Sequence, residues 1–131
     1  MQLYLDTSAL VKLVVLEPES SALRGYLDQL RSDSQFTSSL ARTELIRAVA
    51  RHGSTEAVAH ARRVLAKLQL VPLNNKLLET AGTLVPPELR TLDAIHLAAA
   101  RTAPDLRAMF TYDDRLAQAA ATAGIAVASP R

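Results

Sequence analysis

The chain has 131 residues, 49% of them hydrophobic and 21% charged, which is the length of one domain (~100–200 residues) and too well supplied with apolar side chains to be disordered. It contains no cysteine, so disulfide scaffolds, thiolate zinc sites and thiol catalysis fall away, and the composition suits a reducing cytoplasm. The formal net charge is only +2, no run approaches the ~18 apolar residues of a membrane span, and the opening MQLYLDTSAL lacks the basic start of a secretory signal.

Short apolar runs alternate with helical patterns along the whole chain. Gln2–Asp6 reads as a buried strand, Ser8–Val15 as a short helix, and Pro18–Arg31 as a second helix with proline and acids in its first turn. Gln35–Thr37 is a short strand. Ser39–His52 is a helix stopped by Gly53; Ser54 caps the next helix, which runs to about Gln69. Leu70–Leu73 is a strand, and Asn74–Val85 a helix ending before two prolines. Thr91–Thr102 is a helix, with Thr91 as its expected cap. Ala108–Thr111 is a strand, Asp114–Ala123 a helix closed by Gly124, and Ile125–Ala128 the fifth strand. Such an alternation predicts a parallel sheet with helices on both faces, in one domain spanning residues 1–131. Ligands of such sheets bind beyond the carboxyl ends of the strands, so acids just after strands carry the most information.

Four positions stand out. Asp6 closes the first strand; alone, it is also a good helix cap. Glu44 sits at the edge of an apolar helix face, with Arg47 as an ordinary i+3 partner. Asp93 lies in LDAIHLAAA, a helix apolar nearly all round, where an unpaired carboxylate is expensive. Asp113 and Asp114 follow the fourth strand, and Asp114 is the expected cap of the next helix. Each acid has a bland explanation, but together they converge on one end of a parallel sheet. Crowded carboxylates repel and raise one another's pKa, a situation relieved by a divalent cation. An all-oxygen set suits Mg²⁺ or Mn²⁺ rather than zinc, and such an ion can activate water for attack on a phosphodiester.

These segments, Asp6-Thr7-Ser8-Ala9-Leu10-Val11-Lys12-Leu13, Thr43-Glu44-Leu45, Arg90-Thr91-Leu92-Asp93-Ala94-Ile95-His96-Leu97-Ala98 and Thr111-Tyr112-Asp113-Asp114-Arg115-Leu116, resemble the PIN-domain ribonucleases, and among them the toxins of VapBC-type toxin–antitoxin pairs. The resemblance covers essentially the whole chain. It implies a three-layer α/β/α sandwich around a mainly parallel sheet of about five strands. It places Asp6, Glu44, Asp93 and Asp113 on the family's metal-binding acidic quartet, with Asp6 and Asp93 the most direct ligands and Thr7 or Ser8 the supporting hydroxyl. Position favours Asp113 as the fourth acid, with Asp114 a neighbour or cap. The implied activity is metal-dependent endoribonucleolytic cleavage that leaves 5′-phosphate and 3′-hydroxyl ends. The implied partners are RNA, an inhibitory antitoxin and a second copy of the chain in a homodimer.

Other residues carry weaker signals. His96, i+3 from Asp93, could bond that carboxylate, but a packed helix histidine is the commoner case. Residues 37–70 hold Arg42, Arg47, Arg51, Arg62, Arg63 and Lys67 against Glu44 and Glu56, a local balance of +4. Arg47 and Arg51 share a face near Glu44 and are the better candidates for RNA phosphate contact. At 4% aromatics, stacking of several bases is not expected. Two other classes compete. A phosphoacceptor domain, receiver-like or phosphatase-like, would want a second acid near Asp6, where Thr7 and Ser8 stand. A non-catalytic PIN-like scaffold would need a lost acid. No phosphate-cradling glycine pattern exists among the 4 glycines.

Overall fold

The computed structural model describes residues 1–131. Five strands, β1 (Gln2–Leu5), β2 (Ser34–Ser38), β3 (Gln69–Val71), β4 (Leu106–Phe110) and β5 (Val127–Ala128), form one sheet in the order β3-β2-β1-β4-β5. Every neighbouring pair is parallel. Seven helices join them: α1 (Thr7–Val14), α2 (Ser20–Gln29), α3 (Ser39–Ala50), α4 (Thr55–Ala66), α5 (Asn75–Gly82), α6 (Thr91–Ala100) and α7 (Asp114–Thr122). None is long and apolar enough to cross a membrane.

Period-two alternation in the central strands divides the core. On one face Tyr4, Phe36 and Met109 meet Leu77 and Ala81 of α5, the apolar side chains of α6, and Leu116 and Ala120 of α7. On the other, Leu3, Leu5 and Phe110 meet Leu10 of α1, Leu23 and Leu27 of α2, Leu45 and Val49 of α3, and Leu65 of α4. The result is the expected α/β/α sandwich. Its sheet is wholly rather than mainly parallel, as suits strands buried on both faces.

Helix starts and stops follow local chemistry. Asp6, Ser54 and Asn74 each accept a hydrogen bond from the backbone three residues on, capping α1, α4 and α5. Gly53 (φ 73°) and Gly124 (φ 81°) adopt the left-handed conformation just beyond α3 and α7. Two expectations change. Thr91 is the first helical residue of α6, and Arg90, with no capping side-chain bond, holds the cap position. Asp113, not Asp114, caps α7: its Oδ1 accepts from the backbone N–H of Arg115 and of Leu116. A cap must lie outside the helix with extended backbone, and Asp113 does (φ −87°, ψ 115°), whereas Asp114 is already in the first turn.

The register sets up the chemistry. Leu5 pairs with Phe110, so the next residues, Asp6 and Thr111, emerge side by side at the carboxyl edge. There Asp6 still donates its N–H to Phe110 O (3.1 Å).

Candidate acidic site at the carboxyl edge of the sheet

One cavity of about 320 Å³ opens at this edge, lined by Asp6, Thr7, Ser8, Glu44, Arg90, Thr91, Leu92, Asp93, His96 and Asp113. Four separate segments deliver its acids. Asp6 comes from the end of β1, Glu44 from α3, Asp93 from the first turn of α6, and Asp113 from the turn between β4 and α7. The sequence-derived quartet is therefore brought together, along with Thr7 and Ser8.

Asp6 is almost fully buried, at 3% exposure. Its Oδ1 accepts from Ser8 Oγ (2.7 Å) and Ala9 N (3.0 Å), and its Oδ2 from Thr111 Oγ1 (2.5 Å). Burial pushes its carboxyl above the usual range, opposed by these hydroxyl bonds and by nearby His96. No basic side chain forms an ion pair with it. Ser8 and Thr111 are themselves fixed, because Ser8 Oγ accepts from Tyr112 N (2.8 Å) and Thr111 Oγ1 from Asp113 N (3.1 Å).

Glu44 is half-buried. Its Oε1 accepts from Thr7 Oγ1 (2.6 Å) and faces His96 Nε2 at 2.7 Å. Burial raises its carboxyl, but the bonds from His96 and Thr7 pull harder, and it lies below the ordinary range. The expected Arg47 partner is absent; Arg47 points to solvent. His96 does not bond Asp93 as the i+3 spacing allowed. It spans from Glu44 to the buried Tyr4 hydroxyl, 2.7 Å from Nδ1. His96 is thus both a packed histidine, 3% exposed, and a wall of the site. Its signal was proximity to Asp93, but its true partner is on α3, which spacing along α6 could not reveal.

Asp93, 8% exposed, accepts from Arg90 Nε at Oδ2 (2.9 Å), and Asp113 Oδ2 accepts from Arg90 Nη2 (2.6 Å). Arg90 and Thr111 are the site residues that sequence reasoning left without a role. Arg90 had one available cue, its i−3 position relative to Asp93 on an incipient helix. Asp114 is exposed and lines an adjoining groove of about 710 Å³ with Val85, Pro86, Arg115 and Gln118; Arg90 and Asp93 border both spaces. Arg51, the C-cap residue just after α3, is exposed one turn beyond Arg47.

The donor set fits a hard divalent cation on chemical grounds: four carboxylates, no thiolate, and a deeply buried Asp6 with no positive partner. In this conformation no three acidic or histidine side chains converge on a single point at ligand distance. Asp93 Oδ2 and Asp113 Oδ2 are both turned to the Arg90 guanidinium.

A parallel α/β/α sandwich with acids gathered beyond β1 and β4 defines a class of domain, and sequence comparison names it. The PIN domain family model matches residues 3–122. Ribonuclease VapC46 of Mycobacterium tuberculosis (strain H37Rv) is 50% identical over 129 residues, which span 98% of this chain and 97% of that protein. Ribonuclease VapC47 of M. tuberculosis (strain CDC 1551) is 43% identical over 131 residues, with 98% and 96% covered. Among solved structures, M. tuberculosis VapC20, described as a sarcin-ricin loop cleaving toxin, superposes with a TM-score of 0.75 at 18% identity, covering 98% of this chain and 99% of that one. The chain belongs to the PIN-domain family and, within it, groups with the VapC ribonucleases.

Proposed function

We propose that this chain is the endoribonuclease toxin of a type II toxin–antitoxin pair and hydrolyses RNA phosphodiester bonds with Mg²⁺ or Mn²⁺ at Asp6, Glu44, Asp93 and Asp113. The observation that carries the reading is the meeting of these four acids in one cavity at the carboxyl edge of the sheet, in a chain half identical to a named VapC ribonuclease. Asp6 and Asp93 are the most direct ligands. Glu44 and Asp113 ligate directly or through water.

When bound, the divalent cation supplies activation of the attacking water and stabilisation of charge on the phosphate oxygens. The protein's own part is positioning. Ser8, Thr111 and the Ala9 amide hold Asp6 in one orientation. Thr7 and His96 both engage Glu44 Oε1 and so leave its Oε2 without a protein partner. Asp113 uses Oδ1 as a cap, which leaves only Oδ2 for the site. Substrate RNA approaches from solvent over Arg90 and the α3 arginines. A cognate antitoxin covers the site, and the chain works as a cytoplasmic homodimer.

The test is cleavage of total host RNA by purified, antitoxin-free protein with Mn²⁺, Mg²⁺ or chelator, mapping fragment 5′ ends and running Asp93→Asn alongside. The expected result is cation-dependent cutting at one or a few sites, lost in the variant. Folded protein that cuts nothing with any cation would return the chain to the scaffold or phosphoacceptor classes.

A further inference from the structure

Arg90 is the one cation seated among the acids. Its Nε bonds Asp93 Oδ2 at 2.9 Å and its Nη2 bonds Asp113 Oδ2 at 2.6 Å. These two carboxylates come from elements 20 residues apart, α6 and the start of α7, and nothing else ties them to each other across the site. The same side chain is 56% exposed and forms the rim shared by the acidic cavity and the 710 Å³ groove. Its third nitrogen, Nη1, has no protein partner. A guanidinium is always charged and presents a rigid fork of donors suited to carboxylate and phosphate alike.

Resting on the proposed nuclease reading, we infer that Arg90 is a built-in counter-cation of the site. It holds Asp93 and Asp113 while no divalent ion is present, yields those oxygens when the ion binds, and turns its fork to a phosphate of the incoming RNA. Three observations point the same way. The two bonded oxygens belong to carboxylates of the proposed cation set. With them held, no three ligands converge. And Arg90 sits at the mouth rather than the floor of the cavity, with a solvated path outward. Arg90 is thus a competitor of the metal and a partner of the substrate, and its two roles have opposite signs.

The opposite signs make the idea testable. Mn²⁺ affinity is measured on RNA-free wild-type protein, Arg90→Gln and Arg90→Lys by titration calorimetry and by the loss of free-Mn²⁺ resonance signal. KM and kcat are measured separately on a short single-stranded oligoribonucleotide containing a mapped cleavage site. Arg90→Gln is expected to bind Mn²⁺ at least about threefold tighter, the scale of removing partly exposed ion pairs, while its KM for RNA rises. Arg90→Lys, which keeps charge but loses the fork, is expected to fall between the two. Mn²⁺ binding that weakens in Arg90→Gln would overturn the inference, since Arg90 would then be a scaffold that prearranges the ligands. Unchanged Mn²⁺ affinity and unchanged KM would overturn it as well. Failure of the underlying reading looks different: wild-type protein would bind no Mn²⁺, or Asp93→Asn would bind it as well as wild type.

Discussion

Asp6 combines two duties that pull its energetics in opposite directions. As the cap of α1 it gains a backbone donor, but as a carboxylate at 3% exposure it loses water, and burial leaves its carboxyl above the unfolded value. The sign follows from proton linkage. Where the folded state holds a proton that the unfolded state has lost, stability falls as pH rises through that window. Asp6 therefore opposes folding at neutral pH when no cation is present, and the opposition fades as acid protonates it in the native state. Asp6→Asn keeps a side-chain oxygen for Ser8 and Ala9, and its amide can donate to Thr111 Oγ1. The expected outcome in chelator is a melting temperature equal to or above wild type at pH 7.5, with the difference shrinking toward pH 4, together with loss of RNA cleavage. Thermal scans across that pH range decide it. A variant less stable than wild type at every pH would mark Asp6 as a structural cap first.

At the scale of elements, α6 is the piece on which both core and site depend. From Asp93 to Ala100 every residue is buried, which is why the small side chains Ala94, Ala98, Ala99 and Ala100 dominate: they let the helix lie close to Tyr4, Phe36 and Met109. Leu97, 1% exposed, is the most deeply buried of the large apolar side chains on the helix. Leu97→Ala is expected to lower stability by ~2–5 kcal/mol, read from urea unfolding, and to weaken cleavage because Asp93 and His96 ride on the same helix. Elements of this kind were legible in the sequence because periodicity and caps are local signals. All five strands and seven helices fall where alternation and Gly/Pro punctuation put them, with ends shifted by a few residues. What was not legible is cross-element geometry. Glu44 finds Thr7 and His96 rather than Arg47, and Arg90 reaches across to Asp113. The first follows from how α1, α3 and α6 face one another over the sheet edge and the second from how the start of α6 faces the β4–α7 turn, and neither has a trace in spacing along any one helix. The cap of α7 was misplaced by one residue for a related reason: with two adjacent aspartates, only the backbone angles show which lies outside the helix.

For the whole molecule the decisive quantity is where charge faces solvent. The formal net charge is small at +2, but the arginines are unevenly committed. Arg107 is tied to Asp33, Arg63 to Glu56, and Arg90 to the acids of the site. Arg47 and Arg51 are exposed, carry no ion pair, and stand one and two turns beyond Glu44, on α3 and at its C-cap. A nucleic acid that reaches the acidic cavity must bring its negative backbone past a cluster of carboxylates, so uncommitted cations along its approach favour binding. Each phosphate they neutralise releases a counterion, and for a single strand the slope of log K against log salt changes by about 0.7 per contact. Arg47→Ala and Arg51→Ala are each expected to weaken RNA binding and to flatten that slope by roughly 0.7, with their effects adding in the double variant. Mn²⁺ affinity should be unaffected, which separates these residues from Arg90. Fluorescence anisotropy of a labelled oligoribonucleotide at several salt concentrations, with Ca²⁺ as the only divalent cation, measures it. An unchanged slope in the double variant would take α3 out of the RNA path and leave the groove beside Arg115 and Gln118 as the route by which the strand arrives.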